Sequence, residues 1–191
     1  MIDRLVLRRF EPADLEDLAA LHADPAVMRF IDDGRPVARE VVAGQTLPGI
    51  LAGYDRLPAG LGRFALRQRE AGGFVGWVSL VPARSVGLEE YPGLELGYRI
   101  RSSMWGRGYA AEGARALILQ AFGYADGGSD IHGYESVAAT TMTVNTASRR
   151  VMEKVGLRYA RTFFADWPDA IAGSAQGDVV YERSLSELRP E

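Results

Sequence analysis

Leu94-Glu95-Leu96-Gly97-Tyr98-Arg99-Ile100, followed closely by Trp105-Gly106-Arg107-Gly108-Tyr109-Ala110, is the stretch that decides how this chain folds. The first segment alternates as a strand and the second is a glycine loop. A helix begins at once, because Ala110, Ala114, Leu117, Ile118, Ala121 and Phe122 recur at the spacing of one buried face. A strand that runs through a glycine loop into a helix gathers unpaired N–H groups and the positive dipole end at one point, which suits a phosphate. The glycines let the backbone approach an anion without interference from Cβ. Between Arg99 and Arg115 lie four arginines and a single acid, Glu112, in a chain whose net charge is −3. A local basic site on an acidic protein is what a polyphosphate ligand requires.

The loop taken alone has other readings. Gly106-x-Gly108-x-x-Ala111 also fits a dinucleotide fingerprint, which needs an acid about 20 residues on, at the end of a second strand. Asp126 and Asp130 fall at that distance, but they sit in the polar turn Asp126-Gly127-Gly128-Ser129-Asp130 with no apolar strand before it. Too little chain follows for the remaining parallel strands and a substrate domain. A structural turn without a ligand is the blander alternative.

A second constellation separates these readings. Glu135–Met142 is β-branched and apolar enough for a strand, and it leads into Asn145-Thr146-Ala147-Ser148-Arg149-Arg150-Val151-Met152-Glu153-Lys154-Val155-Gly156-Leu157. Here the sequence resembles the GNAT superfamily of N-acetyltransferases, and within it the branch of ribosomal-protein N-terminal (alanine) acetyltransferases. That family's loop, Q/R-x-x-G-x-G/A, maps onto Trp105, Gly108 and Ala110; its later motif, N-x-x-S-x-x-x-x-x-K-x-G-F, maps onto Asn145, Ser148, Lys154 and Gly156, with Leu157 for Phe. The start, Arg4-Leu5-x-Leu7-Arg8-x-Phe10 and Asp24-Pro25-x-Val27-Met28-Arg29-Phe30-Ile31, is similar to the same branch. Trp105 replaces the wider superfamily's Gln or Arg, a variant this branch shares.

The resemblance implies a mixed α/β sheet that splays between its fourth and fifth strands, here Leu94–Ile100 and Glu135–Met142. It implies acetyl-CoA as co-substrate, its pantetheine arm taking the hydrogen bonds that the two strands no longer give each other. The cofactor-binding residues would be Ile100, Arg101, Trp105, Gly106, Arg107, Gly108, Tyr109, Ala110, Asn145 and Ser148.

Composition sets the outer bounds. The chain has 191 residues, 47% of them hydrophobic, the amount expected of a single domain spanning 1–191. No apolar run reaches membrane-spanning length, and Met1-Ile2-Asp3-Arg4 lacks a signal-peptide layout, so a cytoplasmic location with no membrane partner is expected. Cys is absent, which removes disulfides, thiol nucleophiles and cysteine metal sites. His22 and His132 stand far apart in no recognisable motif, and no metal is expected; His22 reads as a partly exposed residue of the first helix. Lys154 is the single lysine among 22 basic residues, a bias not read as nucleic-acid binding.

Along the chain, Leu5–Phe10 reads as a strand, Pro12 opens a helix with Leu15, Leu18, Ala19 and His22 on one face, and a short helix covers Ala26–Ile31. A helix is expected over Pro36–Ala43, with loop after it because of the glycines and prolines there. Arg63–Arg69 and Phe74–Val81 are strands about an Ala71-Gly72-Gly73 turn, and the closing strands are Arg158–Ala165 and Asp178–Leu185.

Individual residues carry two readings each. Asn145 serves as an N-cap, as a pantetheine ligand, or as both. Ser148 is an ordinary first-turn serine or the proton donor to the departing CoA thiolate, with Tyr134 and Tyr159 as rivals. Glu95, a carboxylate among apolar strand residues, is the leading general base or else the partner of an arginine such as Arg99. Arg149 and Arg150 face solvent or the CoA phosphates. Asp166 and Trp167, in Phe163-Phe164-Ala165-Asp166-Trp167-Pro168-Asp169, are the acceptor candidates, since carboxylates interleaved with aromatics suit a cationic amine.

These expectations combine into an acetyl transfer to a primary amine, either a peptide N-terminus or a small molecule, by direct attack in a ternary complex. No cysteine exists to carry the acyl group, and Ser148 has no histidine in its motif to activate it. Glu95 would deprotonate the amine, with its loss felt most at low pH, and a backbone N–H near Ile100 would hold the oxyanion. The alternative of another class is a degenerate acetyl-CoA-binding sensor or interaction module. The protein is expected as a monomer or homodimer.

Overall fold

The computed structural model describes residues 4–86, 91–122, 133–165, 171–184 and 187. Seven strands form one mixed sheet in the order β1-β2-β3-β4-β5-β7-β6. They are β1 (Leu5–Arg9), β2 (Gly62–Gln68), β3 (Phe74–Pro82), β4 (Leu94–Ile100), β5 (Ser136–Met142), β6 (Arg158–Phe163) and β7 (Asp178–Ser184). Every neighbouring pair is antiparallel except β4 and β5, which run parallel. The helices are α1 (Leu15–His22), α2 (Pro25–Met28), α3 (Arg39–Val41), α4 (Leu47–Arg56), α5 (Tyr109–Ala121) and α6 (Thr146–Val155).

β3 is apolar throughout because both its faces are covered, as a central strand requires. On one face α5 and α6 pack Ala114, Leu117, Ile118, Met152 and Val155 against Leu66, Val78, Leu80, Leu96 and Val137. On the other, Leu18, Leu21, Val42, Leu47 and Ile50 from the α1–α4 layer cover Ala65, Phe74 and Trp77. Gly113 lets α5 sit close to the sheet: a Cβ there would lie 2.9 Å from both Leu66 methyls.

Two sequence expectations change. The helix foreseen over Pro36–Ala43 starts later and runs much further, from Arg39 through a π-helical segment (Val42–Thr46) to Arg56. Pro48 is the second residue of α4, directly after the π-helical segment, whose altered hydrogen-bond register accommodates a residue without an N–H, and Gly44, Gly49 and Gly53 face open space. The burial of Val42, Leu47 and Ile50 outweighs the poor helix propensity of those glycines. The helix after Asp24-Pro25 is also shorter than expected: it ends at Met28, capped at its start by Asp24, whose side chain accepts from the Ala26 N–H at 2.9 Å.

β4 pairs with β3 along its whole length but with β5 only at Leu94↔Val137 and Glu95↔Ala138. Beyond that point the two strands part. The opening lies beside the N-terminus of α5, and an antiparallel β3–β4 pair ahead of the glycine loop is not the parallel order a dinucleotide fold requires.

Candidate active site

The glycine loop reaches α5 through two left-handed residues, Gly106 at φ 75° and Gly108 at φ 80°. Gly108 is the N-cap, and its carbonyl takes the first helical bond from Glu112 at 3.1 Å. Among the described residues nothing accepts from the N–H groups of Tyr109, Ala110 or Ala111. Three donors and the helix dipole therefore converge on one exposed spot. Trp105 closes the loop from the other side, its indole N–H donating to the Ile100 carbonyl at 2.8 Å.

The charges around this spot are unevenly used. Arg107 is exposed, while Arg101 turns towards Asp17 at 3.9 Å. Arg4 binds Glu112 through Nη2 at 2.5 Å and Nε at 2.8 Å, and donates to the Arg107 carbonyl at 3.0 Å. A groove of about 590 Å³ continues from Gly108 along α5, and three cations, Arg4, Arg115 and Lys154, line it together with Glu112. Tyr109 points its ring inward, under Arg4 at 4.8 Å and within 3.4 Å of the Gln68 amide, so it can offer only its backbone to the opening.

Asn145 caps α6, accepting from the Ser148 N–H at 3.2 Å, and its amide nitrogen donates to Thr141 Oγ1 at 3.1 Å. Ser148 sits in the first turn of α6, and its hydroxyl lies 2.8 Å from the phenol of Tyr98 on β4. Tyr98 also donates to the Ser148 carbonyl at 2.9 Å. Burial and the neighbouring Glu95 push the Tyr98 phenol well above its usual range, so it stays neutral. Of the tyrosines foreseen as rivals to Ser148, Tyr159 is 53% exposed and pairs with Thr162 on β6. Arg149, foreseen towards solvent or the CoA phosphates, turns back onto the protein and donates to the Tyr181 hydroxyl at 3.2 Å and the Thr143 carbonyl at 3.1 Å.

The opposite face of β4 carries Glu95, Gly97 and Arg99, aligned with Val81, Ser79 and Trp77 of β3 and, one strand further, with Arg63 and Ala65 of β2. Among the described residues no cation comes within ion-pair distance of Glu95, so the pairing with Arg99 does not form. Burial raises the Glu95 carboxyl to about 7, with Arg63 opposing. His22 is buried, 5% exposed, where the sequence pointed to partial exposure. Its ring takes the Arg99 guanidinium at 3.1 Å, and burial with Arg99 and Arg63 close by lowers its pKa to about 3. The helical spacing already set His22 on the face of Leu15, Leu18 and Ala19, but nothing local in the sequence names its partner on β4. Asp166 and Trp167, the acceptor candidates, lie outside the described residues, as do Asp126, Asp130 and His132.

A mixed sheet opened at one seam, with a glycine-led helix N-terminus at its mouth, defines an acyl-transfer fold. The acetyltransferase (GNAT) domain model matches residues 4–158, and the chain belongs to that family and is an acyltransferase enzyme. It is 34% identical over 173 residues to the FsC-acetyl coenzyme A-N(2)-transacetylase of Aspergillus fumigatus, covering 87% of this chain and 68% of that one. A GNAT-family acetyltransferase from Bacillus anthracis superposes with a TM-score of 0.71 at 21% identity, over 97% of this chain and 98% of the other. RimL, a ribosomal L7/L12 alpha-N-protein acetyltransferase in complex with coenzyme A, superposes with a TM-score of 0.72 at 14% identity, over 96% of each chain. Among the described residues no helix is long and apolar enough to cross a membrane, and no group of three or more His, Asp or Glu is placed to hold a metal.

Proposed function

We propose that this chain transfers the acetyl group of acetyl-CoA to a primary amine by direct attack within a ternary complex. One observation carries the reading: β4 and β5 separate after Glu95 beside the unpartnered N–H groups of Tyr109, Ala110 and Ala111. A pantetheine arm between the strands and a pyrophosphate on the helix N-terminus would satisfy both sets of backbone groups. The cations of the adjoining groove suit the ligand's remaining phosphate.

Glu95 is the residue assigned to deprotonate the amine, and a carboxyl near 7 is well matched to that task at neutral pH. A backbone N–H of β4 that β5 leaves unpaired is assigned to the oxyanion. Ser148, held by Tyr98, is assigned to return a proton to the CoA thiolate, a light demand for a thiol of pKa about 8.5. Asn145 acts first as the cap that points the Ser148 turn at the opening. Asp166 and Trp167 remain the residues proposed to meet the acceptor. The test is release of free thiol from acetyl-CoA across a panel of peptides and small amines, with calorimetry of acetyl-CoA binding alongside. Binding without thiol release from any amine would assign the chain to the non-catalytic module.

A further inference from the structure

The α1–α4 side of β4 holds two arginines that the acetyl-transfer scheme does not use. Arg63, on β2, lies with its guanidinium 4.1 Å from the centre of the Trp77 ring, and Arg99, on β4, lies 5.3 Å from the same ring. The Nε atoms of both are buried with no hydrogen-bond partner. Among the described residues the Arg63 side chain has neither a hydrogen bond nor an ion pair. Arg99 has only weak acceptors: the neutral His22 ring at 3.1 Å and the Met28 sulfur at 3.4 Å. Removing a guanidinium from water without a counter-ion is costly, and here it happens twice within one recess.

The recess also reaches solvent. Glu95, Gly97, Arg99 and Arg63 each keep some contact with solvent. Gly97 lies between Glu95 and Arg99 on this face, and a Cβ there would stand 2.5 Å from Ser79 Oγ, 3.4 Å from the Trp77 ring and 3.5 Å from Glu95 Oε2, so no side chain is accommodated at that point. Of the two cations only Arg63 acts on Glu95, a carboxylate that is itself reluctant to ionise. Asp32, which adopts φ 49° in the loop after α2, is exposed and forms no ion pair with either arginine.

We infer that the acceptor is an amino acid-like molecule, whose own carboxylate is bound by Arg63 and Arg99 while its amine faces Glu95. This deepens the acetyl-transfer reading and rests on it. Guanidinium forks match a carboxylate's two oxygens, and the Trp77 ring lies against both. Burial and the neighbouring Arg63 lower the Arg99 pKa to about 10 against the pull of Asp32, and burial moves Arg63 the same way against that of Glu95. A polyamine would bring further positive charge into this recess, and a protein N-terminus would bring an uncharged amide in place of the carboxylate.

The test compares kcat/KM for α- and ω-amino acids against the carboxamide and the decarboxylated amine of each, with acetyl-CoA saturating. The expected result is at least a ten-fold advantage for the free acid. Arg63→Gln should raise KM for the acid at least ten-fold without raising it for the carboxamide, and Arg63→Lys should recover part of the loss. Equal kcat/KM for acid and carboxamide, or an Arg63→Gln enzyme that keeps the wild-type preference, overturns the inference while leaving acetyl transfer intact. Should no amine release thiol, calorimetry with N-acetyl amino acids and N-acetyl alkylamines still decides it. Selective binding of the acids, lost in Arg63→Gln, supports the carboxylate site, and its absence removes it.

Discussion

The phenol of Tyr98 and the hydroxyl of Ser148 lie 2.8 Å apart, joining β4 to the first turn of α6 where the sheet opens. Because the Tyr98 proton goes to the Ser148 carbonyl, the serine's own proton points at the phenol oxygen. On the proposed scheme Tyr98 is a positioning residue, placed to fix the rotamer from which Ser148 would turn to a thiolate. Ser148→Ala should lower kcat by about 10²-fold at most, with acetyl-CoA affinity little changed. Tyr98→Phe should lower kcat less and cost stability of about 1 kcal/mol. Since Tyr98 acts through Ser148, the double variant should be no slower than Ser148→Ala alone. Steady-state kinetics of the three variants check this, and additive losses would separate the two residues.

As the proposed base, Glu95 should set the pH dependence. With its carboxyl near 7, the wild-type rate should rise as pH passes through 7 and the base ionises. Glu95→Gln should lose that limb, with kcat/KM at pH 8 reduced by about 10²–10⁴-fold. The gap between the two enzymes should narrow below pH 7, the reverse of the low-pH effect anticipated from sequence, because wild-type Glu95 is then protonated too. Stability should move the other way. A carboxyl whose folded pKa lies above its unfolded value makes the native state bind more protons between about 4.3 and about 7, so stability falls as pH rises across that window. Glu95→Gln should therefore melt higher than wild type at pH 8 and at the same temperature near pH 4. Thermal melts at the two pH values, read beside the rate profile, test both.

Asp14 has the opposite sign. It is 1% exposed and bound by Arg8 at 2.6 and 2.7 Å and by Arg67 at 2.8 Å. Burial resists its ionisation, yet these hydrogen bonds prevail and lower its pKa to about 2. Its stabilising contribution is present above an unfolded pKa of about 3.9 and is lost as pH falls towards 2. Asp14→Asn should cost about 2 kcal/mol at pH 7, and the difference from wild type should shrink between pH 4 and pH 2. Urea unfolding across that range reads it directly.

Much of this architecture is written locally in the chain. The alternation of Leu94–Ile100, the glycine loop and the apolar spacing of α5 each follow from residues near in sequence, and the matched motifs locate Asn145 and Ser148 on α6. The Arg39–Arg56 helical run is not local: its glycines and Pro48 read as loop, and only the pockets beside Trp77 and Ala65 reward its helical form. Arg63, Arg99 and His22 meet across β2, β4 and α1, a juxtaposition that depends on sheet register. A signal for part of it was present all the same. The argument that singled out Glu95, a charge within an apolar strand, applies equally to Arg63 between Gly62 and Phe64. Tyr98 gave no such sign, because it shares the face of Leu94 and Leu96 and reads as core.

The glycine loop yields the most direct test of the co-substrate. Gly108 stands at φ 80°, and a Cβ there would meet nothing nearer than Arg4 Nη2 at 3.7 Å. Space is therefore available in the protein, and what a side chain would invade is the approach to the Tyr109, Ala110 and Ala111 N–H groups. Valine is also strained at positive φ, by about 1–3 kcal/mol, whereas asparagine adopts that conformation readily. The two variants thus divide folding from binding. Gly108→Val should lose stability and acetyl-CoA affinity together. Gly108→Asn should keep a near-wild-type melting temperature yet weaken acetyl-CoA binding by about ten-fold or more, since its side chain occupies phosphate space and offers the N–H groups a competing acceptor. Calorimetry with acetyl-CoA at two salt concentrations measures it, and a phosphate contact predicts weaker wild-type binding at the higher one. Wild-type affinity in a well-folded Gly108→Asn protein would remove the pyrophosphate from the N-terminus of α5.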